Sequence, residues 1–291
     1  MEPMSLRPSP RAPSSTTAAQ PVDWLGLCRR TVVAQREIFA AVRGVAARTV
    51  YEGVGEGGDH ALVIDRRCED AVFAELQTVA DAGHSFQVIS EERGEVAFGA
   101  ASEMRLVIDP IDGSLNARRT IPSHSFSFAV AGGPTMADVE FGYVYDFGAG
   151  EEFVARRGAG AVLDGEPLSA RQGDGLEVVG IEAAKPELTL PVVEAIQGVV
   201  YRLRGIGSIA ITVAYVAAGR LDGMVSLRPC RSVDAAAAQL IAREAGGLVA
   251  FGDLDLGQAG LGIDARYPIA AAATEGGLRT LLDAQAAGRS E

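Results

Sequence analysis

The segment LVIDPIDGSLNA, residues 106–117, constrains this chain more than any other stretch. Leu106, Val107 and Ile108 make a short strand suited to burial, Asp109 ends it, and Pro110 removes the next backbone donor and stops the ladder. Asp112 follows, and Gly113-Ser114 turn the chain into a predicted helix. Any fold must therefore put two carboxylates and a helix start at the carboxyl end of a buried strand, which is where ligands bind in α/β sheets. Two carboxylates joined by a rigid turn can share divalent cations, with the Ile111 carbonyl as a further oxygen ligand. The N–H groups of Gly113 and Ser114 can meet phosphate oxygens. The plainer reading is a turn, because Asp-Pro and Asp-Gly mark turns and Asp caps helices.

Two further acidic elements weigh against the plain turn. VISEE, residues 88–92, is another apolar run that ends in carboxylates, Glu91 and Glu92. SVDAAAAQLIAREAGG, residues 232–247, places Asp234 in the first turn of an alanine-rich helix. Taken alone, the glutamates read as a solvated loop and Asp234 as a complement to the helix dipole. Glu244, before Ala-Gly-Gly, reads as structural.

Charge sharpens the argument. With 26 Lys+Arg against 38 Asp+Glu the net charge is −12, which excludes a nucleic-acid or anionic-membrane surface as the main partner. A phosphate ester fits such a protein only where metal ions stand between its carboxylates and the substrate. Cys28, Cys68 and Cys230 have no CxxC spacing, so neither a disulfide framework nor a zinc site is expected, and a reducing cytoplasm is. There is no run of eighteen apolar residues and no hydrophobic leader core, so a soluble protein is expected.

Residues 1–20 are rich in Pro, Ser, Thr and Ala and read as a disordered tail, with one domain over 21–291. Helices are expected over 22–48, 68–79, 206–218 and 234–245, and strands over 86–89, 105–108, 125–131, 141–145, 152–155, 221–225 and 248–251. Their uneven alternation predicts a layered α/β sandwich, with a metal-binding half to residue 175 and a substrate half beyond it. Gly53 to Gly58, GVGEGG, formally fits a dinucleotide loop, but a helix is expected before it where the motif needs a strand. His60, His84 and His124 are scattered without metal-ligand spacing, and Cys230 has no base beside it.

The segments SEE, DPIDGSLNA and VDAAAAQLIAREAGG, in this order and at these distances, resemble the inositol monophosphatase superfamily of metal-dependent, lithium-sensitive phosphatases, over about residues 22–285. ISEERGE, Asn116-Ala117, GEGGDHALVIDRRCED and LRPCRSVDAAA are most similar to its archaeal-type fructose-1,6-bisphosphatase/inositol monophosphatase branch. The resemblance implies an alternating α-β-α-β-α sandwich and a phosphomonoesterase that uses about two or three Mg²⁺ ions, or Mn²⁺ in their place. Glu91, Asp109, the Ile111 carbonyl, Asp112 and Asp234 would hold the metals, with Glu92 supporting them. Asp65 would pair with the Ser114 hydroxyl to activate water, and Gly113, Ser114, Gly207 and Ser208 would bind the phosphate.

Some positions depart from the family pattern. Ser114 stands for the usual Thr, Ala117 for Phe and Val233 for Trp. Leu227 stands where inositol-selective members carry a glutamate that grips ring hydroxyls, which weakens an inositol-only reading. Arg228 and Arg231 can bind a second phosphate, or can simply be surface arginines. The resemblance implies inositol 1-phosphate or fructose 1,6-bisphosphate as substrate and a homodimer as the assembly. The alternatives are 3′-phosphoadenosine 5′-phosphate, histidinol phosphate, or a catalytically silent binding protein of the same fold. A Ca²⁺ loop of the EF-hand type is excluded, because its ligand positions are not supplied.

Overall fold

The computed structural model describes residues 21–54, 60–170, 173, 175–182 and 185–288, so the expected tail lies outside the described residues. The chain opens with α1 (Trp24–Ala41), α2 (Val45–Arg48), the paired strands β1 (Tyr51–Val54) and β2 (His60–Leu62), and α3 (Val63–Asp81). There follow β3 (Phe86–Ser90), β4 (Gly94–Phe98), β5 (Arg105–Asp112), α4 (Ser114–Arg119), β6 (Ser125–Ala131), β7 (Val139–Asp146), β8 (Glu151–Arg156), β9 (Gly160–Leu163) and β10 (Glu166–Pro167). The remainder is β11 (Leu176–Glu182), α5 (Pro186–Ala195), β12 (Val200–Arg204), α6 (Ile209–Ala217), β13 (Gly223–Ser226) and β14 (Cys230–Arg231). It ends with α7 (Ser232–Glu244), β15 (Leu248–Ala250), β16 (Arg266–Tyr267), β17 (Ala270–Ala272) and α8 (Glu275–Ala287).

Among the described residues the two main sheets alternate with three helical layers, beside the small pairs β1-β2 and β14-β16. The larger sheet runs β10-β9-β8-β7-β6-β5-β3-β4, and the smaller runs β12-β11-β13-β17-β15. On β5 and β6 side chains alternate between two buried faces, as the period of a strand requires. Leu106, Ile108, Phe126, Phe128 and Val130 meet Trp24, Leu27, Phe73 and Leu76 of α1 and α3. Val107, Ala129 and Ala131 meet α6 and the alanines of α7, and that core continues to Met224 and Ala271 of the smaller sheet. Helices α5 and α8 cover the far side of the smaller sheet through Val192, Ile196, Leu281 and Ala284. The expected sandwich is therefore present.

Several local expectations are corrected. The first helix breaks after Ala41, because Gly44 takes a φ of 80° before α2 begins. A strand, β1, precedes the central glycines of GVGEGG where a helix was expected. It pairs antiparallel with β2 and so forms no dinucleotide-binding βαβ unit. Pro110 does not end β5, which continues to Asp112. The pairing passes from Asp109↔Ser127 to Asp112↔Ser125, three steps on β5 against two on β6. That extra residue is a β-bulge, which accommodates a proline without a donor and turns the strand end. Helix α6 starts at Ile209, with Ser208 accepting a hydrogen bond from Ile211 N–H as its cap. Helices α5 and α8 and strands β11 and β12 had no expectation against them; α5 carries Pro191 inside it, a breaker that hides the pattern.

Candidate active site and metal centre

Three chain segments meet at the carboxyl end of β5. The bulge carries Asp109 and Asp112, and Asp109 Oδ1 accepts from the Ile111 N–H at 2.9 Å, which fixes the turn. From behind, buried Gln35 of α1 donates to the Pro110 carbonyl at 3.1 Å. Asp112 Oδ2 accepts from Ser208 Oγ and from the Ala210 N–H, each at 2.6 Å, so the first turn of α6 holds it. Asp234, in the first turn of α7, accepts the Arg231 N–H at 2.8 Å and so caps its own helix.

One carboxylate oxygen from each of Asp109, Asp112 and Asp234 lies within 4.8 Å of the others, and the three residues are 1%, 6% and 9% exposed. Burial drives the Asp109 carboxyl well above the usual carboxylate range, with Glu91, Asp112 and Asp234 adding to it. Burial, then Asp234, raises Asp112 to about 7, against the hydrogen bonds from Ser208 and Ala210. Such a set is costly unless a cation neutralises it. Hard carboxylate oxygens with no sulfur or imidazole among them suit Mg²⁺ or Mn²⁺, so the residues fit the metal the resemblance implies.

Glu91 and Glu92 follow β3, whose end is held by buried Glu69: its Oε1 accepts from Ser90 Oγ at 2.5 Å and from the Arg93 N–H at 3.2 Å. Glu91 stands outside the three-aspartate group and is ion-paired with the Arg231 guanidinium. Burial lifts its carboxyl to about 7, and Arg231 pulls it back. Asp65, Glu91, Glu92, Asp109 and Ser114 line one small crevice. Among the described residues no hydrogen bond joins Asp65 to Ser114, and Asp65 Oδ1 is buried without a partner. Burial, then the charges of Glu92 and Glu91, raise the Asp65 carboxyl to about 8.

On the other side of the aspartates a cavity of about 520 Å³ opens, lined among others by Asp112, Asp234, Gly207, Lys185 and Arg228. Its floor is knitted by glycines. Gly113 and Gly207 have φ of +89° and +85°. A Cβ on Gly207 would meet Asn116 Nδ2 at 2.5 Å, and one on Gly113 would meet the Gly207 carbonyl at 2.9 Å. Asn116 Nδ2 donates to the carbonyls of Ser123 and Ile206, at 2.8 and 2.7 Å, joining the two turns.

The structure separates the two arginines that the sequence grouped. Arg228 is exposed on the cavity, and Arg231 lies on the carboxylates. Leu227 packs against the α5 core. Three contributors went unnoticed in the sequence: Lys185, Gln35 and Glu182. Glu182 is 2% exposed and accepts from the N–H groups of Ile206 and Gly207, at 2.9 and 2.8 Å, and from Thr212 Oγ1 at 2.8 Å. It ends an apolar strand, VVGIE, as Glu91 follows VIS, so the signal that marked Glu91 was there for Glu182 as well. Glu244 accepts from the N–H groups of Gly158 and Gly160, at 2.8 and 2.9 Å, a structural role as expected. His124 stacks on Phe147, and burial lowers its pKa to about 4.

The sequence profile of the inositol monophosphatase family matches residues 29–286. The chain belongs to this family. It is 33% identical over 236 residues to the fructose-1,6-bisphosphatase/inositol-1-monophosphatase of Methanothermobacter thermautotrophicus, covering 78% of this chain and 83% of that one. It is 34% identical over 200 residues to the Nus factor SuhB of Escherichia coli, covering 66% of this chain and 71% of that one. The solved structure of an inositol monophosphatase-fructose 1,6 bisphosphatase superposes with a TM-score of 0.78 at 27% identity, covering 90% of this chain and all of the other. Members of the family are metal-dependent, and the chain is accordingly a phosphatase, a hydrolase of phosphoric monoesters. Among the described residues no helix is long and apolar enough to cross a membrane, and all three cysteines are buried and free.

Proposed function

We propose that the chain hydrolyses a small sugar or inositol phosphate with Mg²⁺ held by Asp109, Asp112 and Asp234, helped by Glu91 and the Ile111 carbonyl. The observation that carries this reading is the buried three-aspartate group at the mouth of a 520 Å³ cavity. Bound divalent ions supply charge neutralisation and a water of lowered pKa. The chain's own groups do the rest. Asp65, whose Oδ1 has no hydrogen-bond partner, would hold the proton of a water placed in this crevice, and Ser114, which lines the same crevice, would help to orient it. The N–H groups of Gly113 and Ser114 and the turn at Gly207-Ser208 receive the phosphate, while Asp112, locked by Ser208 and Ala210, keeps its orientation.

Lys185 and Arg228 line the cavity beyond the aspartates, and Leu227 offers no carboxylate to ring hydroxyls. The two basic groups support a substrate with a second anionic group and Leu227 counts against an inositol-only one, which is why we rank fructose 1,6-bisphosphate ahead of inositol 1-phosphate. The finer reading also includes lithium sensitivity, a cytoplasmic homodimer, Mn²⁺ as a substitute metal, and one phosphatase domain over 21–291 with a metal-binding half to residue 175 and a substrate half beyond it.

The test is phosphate release from fructose 1,6-bisphosphate, inositol 1-phosphate and 3′-phosphoadenosine 5′-phosphate with Mg²⁺, with EDTA, and with Mg²⁺ plus Li⁺. Release should need Mg²⁺ and fall with Li⁺, and Asp112→Asn should lose about 10²–10³-fold in kcat, the scale of removing one preorganised electrostatic group. Unchanged turnover in Asp112→Asn would sink the site assignment. No release from any compound would favour the silent binding protein.

A further inference from the structure

Helix α3 meets the turn between β3 and β4 in two places. Asp65, in its first turn, lines the crevice shared with Glu91, Glu92, Asp109 and Ser114. Glu69, four residues on and so on the same face of the helix, is 1% exposed. It grips the turn by both ends: Oε1 accepts from Ser90 Oγ at 2.5 Å and from the Arg93 N–H at 3.2 Å, and Oε2 lies 3.2 Å from Arg93 Nε. The Arg93 guanidinium is also ion-paired with Asp70 and lies 4.2 Å over the Phe73 ring, so three residues of α3 fasten one side chain. Between the two fastened positions stand Glu91 and Glu92.

The strand pairing does not need these bonds. β3 is laid against β5 in parallel and against β4 in antiparallel register, up to Ser90↔Gly94. Pairing leaves open the direction of the three residues 91–93, and a buried carboxylate is a costly way to fill space where an apolar side chain would serve. We infer that Glu69 is a positioning residue: through Ser90 and Arg93 it fixes Glu91 and Glu92 opposite Asp65. One helix thereby sets the spacing between the group that holds a water's proton and the carboxylate that helps to bind metal. Glu69 has this role only if Asp65 and Glu91 act as proposed above, and it acts through them rather than on substrate or metal. The leverage is large, because a shift of about 1 Å in a reacting group costs on the order of 10²-fold in rate.

The test uses the full chain and compares wild type with Glu69→Gln, Ser90→Ala, Glu91→Gln and Val72→Ala, the last a buried apolar contact on the same helix. In EDTA, hydrogen exchange over residues 90–94 should quicken by about tenfold in Glu69→Gln, the scale of one lost charge-assisted hydrogen bond, while exchange over 125–131 stays as in wild type. With Mg²⁺ and the best of the three phosphate esters above, kcat should fall by about 10–100-fold and the half-saturating Mg²⁺ concentration should rise by a similar factor. KM should hardly move, because the cavity at Gly207 lies on the other side of the aspartates. Ser90→Ala, which removes one bond of the set, should show the same pattern with smaller changes, and Val72→Ala should melt lower and keep its kcat. If Glu69→Gln does not fold, Ser90→Ala decides on the same readouts. Exchange, kcat and Mg²⁺ midpoint all as in wild type, or a change confined to KM, with Glu91→Gln impaired, would overturn the inference and leave the site reading standing. An equal loss of kcat in Val72→Ala would overturn it as plain destabilisation of the helix. Glu91→Gln as active as wild type, or wild type inactive on all three esters, would overturn both readings.

Discussion

The two faces of the larger sheet are packed by opposite kinds of residue. Towards α1 and α3 the strands present Phe126, Phe128, Phe141 and Tyr143 against Trp24 and Phe73. Towards α7 they present Ala129, Ala131 and Val144 against Val233 and the alanines 235–238. Each large side chain on the first face contributes about 1.5–3 kcal/mol of burial, so that face supplies stability. The alanines contribute less apiece but let α7 lie close to the sheet, which brings Asp234 at its start to the two aspartates of β5. One face holds the fold and the other positions the site.

Phe128→Ala would break the first half of this contrast most severely, with a loss of about 3–5 kcal/mol of stability in a denaturant melt. Turnover per folded molecule should be retained; a large fall in kcat at full folding would mean that the aromatic face also shapes the site. Ala237→Leu would attack the other face, costing about 1–3 kcal/mol through overpacking and weakening Mg²⁺ dependence by pushing α7 outward. The expected signature is a larger change in the Mg²⁺ midpoint than Phe128→Ala produces, and equal changes would erase the distinction.

Glu182→Gln sharpens the comparison where the smaller sheet reaches the cavity. It exchanges an acceptor-only group for one with donors facing the N–H groups of Ile206 and Gly207. KM should rise by about tenfold, the lower end of effects seen when groups supporting a ligand are changed. Unaltered KM would show that the turn holds itself.

The smallest effect is in pH. In EDTA, the Asp65 carboxyl at about 8 and those of Glu91 and Asp112 at about 7 all lie above their unfolded values, raised first by burial. Between about pH 4 and 8 the folded protein therefore holds more protons than the unfolded one, and its stability falls as pH rises. The melting midpoint in EDTA should drop from pH 5 to pH 8, Mg²⁺ should flatten that slope, and Phe128→Ala should shift the curve without changing its slope. A midpoint that climbs with pH in EDTA would contradict the assigned shifts.

Much of the site was legible because its parts are local. A buried strand that ends in carboxylates leaves an apolar run followed by Asp or Glu, and this marked Asp109, Asp112 and Glu91 and was also present at Glu182. The helix that carries Asp234 shows its alanine face directly in the letters. Other features depend on partners far away in the chain. Pro110 reads as a strand end because its missing donor is local information, whereas the bulge that absorbs it is set by pairing with Ser125 and Ser127. Arg228 and Arg231 look alike in sequence, and only the approach of Glu91, 140 residues earlier, distinguishes them.

By itself the sequence determined the family, the acidic chemistry, the strands β3, β5 to β8, β13 and β15 and the helices α1, α3, α4, α6 and α7, since each of these follows from residue types at short spacing. Tertiary structure alone decided which carboxylates lie within reach of one another, which cation pairs with Glu91 and which basic groups line the cavity. Those outcomes depend on distances of a few ångströms between segments that only packing brings together.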